Sequence, residues 1–410
     1  MSLPTIYVIV LLSISSITYS FAYVSYSYFV RYFALELGVD YSRQALYDSL
    51  GNILSAFGIL LIGISSDRLG RILTTSIASL TGVFSALAAL SRDPLLGIPI
   101  AIVFLNISFA TTIIARNLLM IELGGDAVGR LFGGVMTLGA LAMIAGPVIG
   151  LWAKNLYGYE FLFTITAFLY LISSLSIYML RFKVREIRYV NDNSIISMIR
   201  NLKVTNSVPQ DLYARRLFIF AVIDKFSYSM WAQMIYALAA SEKIPLDISA
   251  YLTTVMNLSW FVSQYVFGIA TDKISSISIL RFSELITGLS AFILALAISF
   301  NYYPLLYLSF ILIGLSYSSW IPSYNKYVQL YIKPDQRAIY MSIINIYAIL
   351  IASPAPYLGG ILRGIISPGV FHLYLASLVH SLNSYLTLPR EVKLSHFKNP
   401  LKMKRHKSLH

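Results

Sequence analysis

Long apolar runs alternate with short polar stretches along the whole chain. A helix rises about 1.5 Å per residue, so crossing a hydrocarbon core about 30 Å thick takes about 20 mostly apolar residues. Runs of this kind fall at 7–33, 45–66, 72–91, 95–118, 129–153, 160–180, 216–240, 248–270, 279–300, 303–325, 338–363 and 367–388. They predict an all-α integral membrane protein with twelve transmembrane helices. The longest connector, 181–215, lies near the middle of the 410-residue chain, and no separate soluble domain fits between the runs. The first run is too long for a signal-peptide core. It has neither a basic leader nor a small-residue cleavage site, so it is expected to remain as a span.

Composition narrows the picture. The chain is 57% hydrophobic and 12% charged, where a soluble domain carries about 25% charged residues. Cysteine is absent, which excludes a disulfide frame, a zinc–thiolate site and an iron–sulfur cluster. The net charge of +13 sits in connectors and one tail, so nucleic acid is not an expected partner. With both termini placed in the cytoplasm, the inner connectors and tail hold 24 of the 31 Lys and Arg. Six lie outside: Arg31, Arg43, Arg92, Lys154, Lys243 and Arg363. That bias sets the expected orientation in a cell membrane, although Arg31 gives the first span a contrary local signal. In the central connector Ile195, Met198, Ile199 and Leu202 share a stripe beside Arg200 and Lys203. The stripe suits a short interfacial helix or, equally, a solvated linker helix.

A repeat is visible at half the chain length. Residues 63–71, GISSDRLGR, align with 268–276, GIATDKISS. The same shift of 205 carries Phe21 to Phe226, Tyr23 to Tyr228, Tyr26 to Trp231 and Asn52 to Asn257. Further on the shift is 209, taking Asp126 to Asp335, Pro147 to Pro356 and Gly150 to Gly359. The expected organisation is therefore two pseudo-symmetric six-helix bundles, 1–180 and 216–388. A cytoplasmic linker, 181–215, joins them, and a basic cytoplasmic tail, 389–410, follows. Parallel repeats enclosing a midplane site are a transporter architecture.

The connector Gly63-x-x-x-Asp67-Arg68-x-Gly70-Arg71 resembles the loop signature of the major facilitator superfamily of secondary transporters, with Ser65 and Ile72 as departures. The stretch from Arg116 through Glu122 to Arg130 and Gly133 resembles that family's fourth span and following connector. Gly146-Pro147-x-x-Gly150 is similar to its fifth-span Gly-Pro motif, with Leu151 where a second Gly is usual. The resemblance covers the whole chain. It implies a cytoplasmic gate made by Gly63, Asp67, Arg68, Gly70, Arg71, Glu122 and Arg130, with Asp272 and Lys273 as counterparts in the second half. Physical chemistry supports part of this. Gly63 permits close helix approach, Gly70 permits a sharp reversal, and Asp67 meets the positive end of a helix dipole. Positive-inside anchoring with helix capping is the plainer alternative.

The resemblance also implies a cavity lined by the first and fourth spans of each half. Tyr19, Tyr23 and Tyr26 stand at i, i+4, i+7 in the first span, and Asp224, Tyr228 and Trp231 repeat that spacing in the seventh. Asn106 and Asn117 in the fourth span and Tyr317, Trp320 and Tyr324 in the tenth are further lining candidates. Interfacial or packing aromatics are the competing explanation, since the chain holds 30 Tyr. Asp224 is the coupling candidate. A charged Asp near the centre of a span costs about 2.5–3.5 kcal/mol, which a proton, a cavity water or an ion pair with Lys225 or Arg116 would offset. Arg116 itself supports the latch or binds an anionic solute. Glu284 and Lys326 are read as gate or anchor residues near cytoplasmic ends, and His372 and His380 as packing or hydrogen-bonding residues.

No phosphate loop, H-E-x-x-H, nucleophile elbow or Cys/His cluster is present, which speaks against an enzyme and calls for neither cofactor nor metal. The expected function is secondary active transport of a small solute by alternating access in a monomer. One proton crossing one pH unit and 100 mV supplies about 3.7 kcal/mol. The aromatic stripes and partial Gly-Pro motif lean toward proton-coupled efflux of an apolar or amphipathic compound. Uptake of a small metabolite is the alternative within the class. A non-transporting membrane sensor or assembly protein is the alternative outside it.

Overall fold

The computed structural model describes residues 3–124, 128–184, 212–332, 337–365 and 369–388. The chain folds as helical rods without strands among these residues. Span 1 is Leu3–Ser27 continued after Tyr28 by Phe29–Glu36; spans 2, 3 and 4 are Tyr41–Leu69, Arg71–Leu90 and Gly97–Gly124. Spans 5 and 6 are one helical stretch, Val128–Met179, that turns back on itself at Gly158. The reversal is visible in the packing: Gly139 faces Ser16 while Ser173 bonds Ser15 at 2.8 Å. Gly158 has φ 82, a value that only a residue without Cβ adopts freely.

The second half repeats the plan. Span 7 is Leu212–Trp231 with Ile235–Ser241; spans 8, 9 and 10 are Leu246–Lys273, Ser276–Ser299 and Tyr303–Tyr331. Span 11 is Arg337–Ala352 with Ala355–Ile365, and span 12 is Phe371–Leu386. Pro354 separates the two pieces of span 11, because it has no N–H to continue the helical hydrogen bonds. By length and composition eight helices among the described residues could cross a membrane, and one of these, Gly134–Phe182, holds two crossings. Spans 7, 8 and 12 fall short of that test because they are more polar or shorter.

Equivalent neighbours recur in the two halves. Span 1 packs on 5 and 6, span 2 on 4, and span 3 on 4 and 6; span 7 packs on 11 and 12, span 8 on 10, and span 9 on 10 and 12. Individual contacts repeat as well. Ser85 donates to the Ala101 carbonyl at 2.6 Å, and Ser290 donates to the Ser309 carbonyl at 2.9 Å. Gly150 packs on Ser25 and Phe29, and Gly359, its equivalent, packs on the Met230 carbonyl. Small residues and hydroxyls do this work because lipid offers helices no hydrophobic force toward one another.

Gly70 makes the reversal between spans 2 and 3 alone, with φ 92. The halves meet through span 5 against span 8 and span 2 against span 11. The proposed linker helix, Asp126 and Asp335, and the basic tail lie outside the described residues.

Candidate transport site

Helix rotation decides which side chains face the space between the halves. On span 1, Val10, Ile14 and Ile17 are exposed and Phe21 is half-buried. The same face continues to Tyr28, which packs on Tyr236 of the other half at 5.9 Å. At that end the stripe meets the second half at span 7. The shift of 205 maps it onto Arg215, Ile219, Val222 and Phe226, which are likewise exposed or half-buried. Spans 4 and 10 carry a second matched pair of open stripes, Phe109, Ile113 and Asn117 against Tyr317, Ile321 and Asn325. The open face of span 4 lies away from span 3, which its Ala101 carbonyl touches.

The aromatic triplets expected to line the cavity are split by this geometry. Tyr23 is half-buried and stacks on Phe109 at 4.5 Å; Tyr228, its equivalent, meets Tyr317 edge-on at 5.6 Å with the hydroxyls in contact. These two pairs border the opening. Tyr19 and Tyr26 point into their own bundle. Tyr19 bonds Ser108 at 3.2 Å and packs on Tyr170, and Tyr26 donates to the Ser85 carbonyl at 2.9 Å. Trp231 is equally enclosed in the second bundle. Trp320 and Tyr324 stack on each other at 4.7 Å, with Tyr324 buried. Asn106 donates to Asp48 at 2.6 Å, and Asn117 lies on the open stripe.

Asp224 does not pair with Lys225 or Arg116. Its Oδ1 lies 3.8 Å from His380 Nδ1, which is 2.9 Å from Glu284 Oε1. Asn383 donates to the same Glu284 oxygen at 2.7 Å and to the Phe220 carbonyl at 3.1 Å. Trp231 Nε1 approaches His380 Nε2 at 3.4 Å. An indole N–H can only donate, so Nε2 accepts and the imidazole proton belongs on Nδ1, facing both carboxyl groups. That tautomer leaves Nδ1 without a lone pair for a metal, although the three residues hold their ligand atoms within 4.8 Å of one another. Glu284 is thus corrected from an anchor at a cytoplasmic end to a fully enclosed partner of His380. His380 is buried and hydrogen-bonded, as its sequence reading expects, but that reading does not name its partners. The available signal was His380 and Asn383, three residues apart on one face of span 12.

The first half buries a different cluster. Arg31 NH2 meets Asp48 Oδ1 at 2.6 Å, with both side chains almost wholly enclosed. Gln44 donates to the Arg31 carbonyl at 3.3 Å. Arg31 therefore lies paired inside the bundle and not free at the flank of span 1.

Hydrogen bonds between the halves gather at the side opposite the two chain ends. Tyr32 donates to the Ile244 carbonyl at 2.7 Å and lies 2.5 Å from the Ser249 hydroxyl. Asn52 and Gln233 exchange two bonds of 3.1 Å. Arg363 pairs with Glu242 and covers the Tyr41 ring, and His372 packs on Tyr41 at 6.1 Å. Nearer mid-membrane, Asn257 donates to the Met143 carbonyl at 2.9 Å. Pro147, four residues on, has no N–H to occupy that carbonyl, so the Gly-Pro motif presents an acceptor to the opposite half. Gly146 and Gly150 bring span 5 close to Val24, Ser25 and Phe29, and Tyr28 donates to the Pro147 carbonyl at 2.6 Å.

At the side of the chain ends, Arg71 Nε pairs with Glu122 Oε2 at 2.9 Å, and Arg71 also donates to the Leu118 carbonyl at 3.3 Å. Lys273 is exposed at the end of span 8. The side chains of Asp67, Arg68, Arg130 and Asp272 and the surroundings of Gly63 lie outside the described part of the structure. A cleft of about 370 Å³ opens on this side between spans 8 and 10, lined by Gly268, Thr271, Pro322, Asn325, Lys326 and Gln329.

The family model of the Major Facilitator Superfamily matches residues 11–356. The chain belongs to this superfamily, and its fold is that of a membrane transporter. Among solved structures it is similar to a D-xylose–proton symporter at 14% identity and TM-score 0.70, covering 94% of this chain and 98% of that one. It is also similar to an auto-inhibited POT family peptide transporter at 10% identity and TM-score 0.73, covering 95% and 98%. A nucleoside transporter, solved as a point mutant, matches at 17% identity and TM-score 0.66, covering 92% and 96%. No curated protein sequence matches the chain.

Proposed function

We propose that this protein is a proton-coupled secondary transporter of a small apolar or amphipathic solute, working by alternating access, with efflux as the favoured direction. The observation that carries this is the Asp224–His380–Glu284 cluster. Two carboxyl groups face one imidazole inside the membrane, with no guanidinium or ammonium within ion-pair distance of them among the described residues. The charge of such a group changes only when a proton enters or leaves. Asp224 keeps 17% side-chain exposure while its two partners have none, which makes it the member that exchanges the proton.

The bundles 1–180 and 216–388 rock as units, joined by 181–215, and Arg71–Glu122 belongs to the latch on the side of the chain ends. That side is cytoplasmic in this reading, in a monomer of the cell membrane. The cations of the other side support it. Arg31, Arg92 and Arg363 are each bonded to a carboxylate, namely Asp48, Glu160 and Glu242, which lowers the uncompensated positive charge of that side. The conformer described is closed toward the outside. The apolar stripes favour an amphipathic cargo over a sugar-like metabolite, whose hydroxyls need many hydrogen-bonding partners.

The test is flux in proteoliposomes under an imposed pH gradient. Solute-dependent proton movement is expected, and Asp224→Asn should abolish uphill movement while exchange down a solute gradient persists. Full gradient-driven flux in Asp224→Asn would remove the coupling assignment.

A further inference from the structure

Two cations near the opening have no acid bonded to them among the described residues. Arg116 of span 4 is 6% exposed, and its Nε and one terminal nitrogen make no hydrogen bond. Its guanidinium lies on the Tyr19 ring, 4.8 Å from the centroid. Tyr19 in turn lies parallel to Tyr23, which stacks on the open-facing Phe109. Lys225 of span 7 is half-buried with its ammonium 5.6 Å from the Tyr228 centroid, and Tyr228 touches the open-facing Tyr317. Among the described residues no carboxylate lies within ion-pair distance of either cation.

The contrast with neighbouring charges is informative. Arg31, Arg71, Arg92 and Arg363 are each bonded to a carboxylate. Asp224, the acid next to Lys225 in sequence, turns toward His380 instead. A positive charge inside a membrane is tolerated where it faces a partner or a water-filled cavity. The two cations therefore sit on opposite halves: Lys225 lies against Tyr228 of the pair that borders the opening, and Arg116 lies one ring behind the Tyr23–Phe109 pair, on Tyr19.

We propose that the transported solute is an amphipathic organic anion. Its carboxylate is drawn to Arg116 and Lys225, and its apolar body lies against Phe21, Phe109, Phe226 and Tyr317. A guanidinium fork and an ammonium together match a carboxylate better than a hydroxyl or an amine. The apolar stripes supply the remaining contact area. The assignment rests on the transporter reading above and gives it a cargo class.

Three probes of one shape test it: 4-phenylbutyrate, its neutral amide and the corresponding amine. Binding is read by thermal shift and by displacement on the purified full chain. The carboxylate is expected to bind, with the amide and amine weaker by about tenfold or more. Arg116→Gln and Lys225→Gln should each weaken the carboxylate by about tenfold and leave the amide unchanged, while Lys225→Arg retains binding. Circular dichroism confirms that each variant is folded, and should one fail, the other decides. Equal or better binding of the amine or amide, carboxylate binding indifferent to both substitutions, or no carboxylate binding overturns the proposal. Flux of a neutral or cationic solute would overturn the anion class and leave transport standing. Carboxylate binding without any flux would keep the site and overturn the transporter reading.

Discussion

In the first half, Arg31 meets Asp48 at 2.6 Å and Asn106 adds a bond to the same carboxylate. In the second half, Glu284 and Asp224 face His380, with Asn383 bonded to Glu284. Both clusters are buried, and both draw on the first span of their half. Their chemistry differs in one respect. A guanidinium never releases its proton under physiological conditions, so the first cluster keeps a fixed cation beside its carboxylate. The second holds no such cation, and its ionisable members are two carboxyl groups and an imidazole. The first can hold spans 1 and 2 together permanently, whereas the second can report which side of the membrane it last met.

Substituting the acids separates these roles. Asp48→Asn leaves a buried guanidinium without its counter-charge and is expected to cost about 3–5 kcal/mol. Thermal unfolding in detergent should show a large drop or loss of folded material. Glu284→Gln keeps the volume and can still accept from Asn383. Its stability is expected to stay within about 1.5 kcal/mol of the parent, while gradient-driven flux is lost. Equal destabilisation by the two substitutions would erase the distinction.

A second comparison concerns the equivalent close approaches. A methyl at Gly359 would run into the Met230 backbone carbonyl, whereas at Gly150 it would meet the side chains of Phe29 at 3.0 Å and Ser25 at 3.2 Å. Side chains can yield and a helix backbone cannot. Gly359→Ala should therefore cost about 1–3 kcal/mol, and Gly150→Ala less, both read from unfolding midpoints. The reverse order would mean that the second bundle is the looser one.

Crossing number, repeat and loop reversal were legible in the sequence because each rests on local pattern. Apolar length sets the spans, and Gly70 marks a turn that its φ of 92 requires. The equivalence of Gly150 and Gly359 follows from a nearly constant shift. The rotation of each helix was less legible. Tyr19, Tyr23 and Tyr26 do share a face, but the spacing cannot say whether that face meets the cavity or the bundle. The open stripe Val10, Ile14, Ile17 and Phe21 reads like a lipid face, since both are apolar. Only its continuation to Tyr28 and Tyr236 shows the end that meets the second half. The Glu284–His380 contact joins residues 96 apart, and no local pattern pairs span 9 with span 12.

The smallest expected effect comes from removing one donor in each half. Trp231 and Tyr26 are related by the repeat, and each sends a single hydrogen bond from span 1 or 7 into its own bundle. Tyr26→Phe loses the bond to the Ser85 carbonyl, 2.9 Å in length, and should cost about 1 kcal/mol. Trp231→Phe loses the longer contact of 3.4 Å to His380 Nε2 and should cost no more through that bond, with a further loss from the smaller ring. The functional consequences diverge. No titratable group accepts from Tyr26, so its removal should leave the pH dependence of flux in place. Without the indole N–H, His380 Nε2 is free to take the proton, and Nδ1 no longer has to face the carboxyl groups as a donor. Flux measured across a pH series should then change shape in Trp231→Phe and keep its shape in Tyr26→Phe. Identical profiles in both variants would mean that the indole packs against His380 without fixing its proton, and the role of Trp231 would shrink to that of a packing residue.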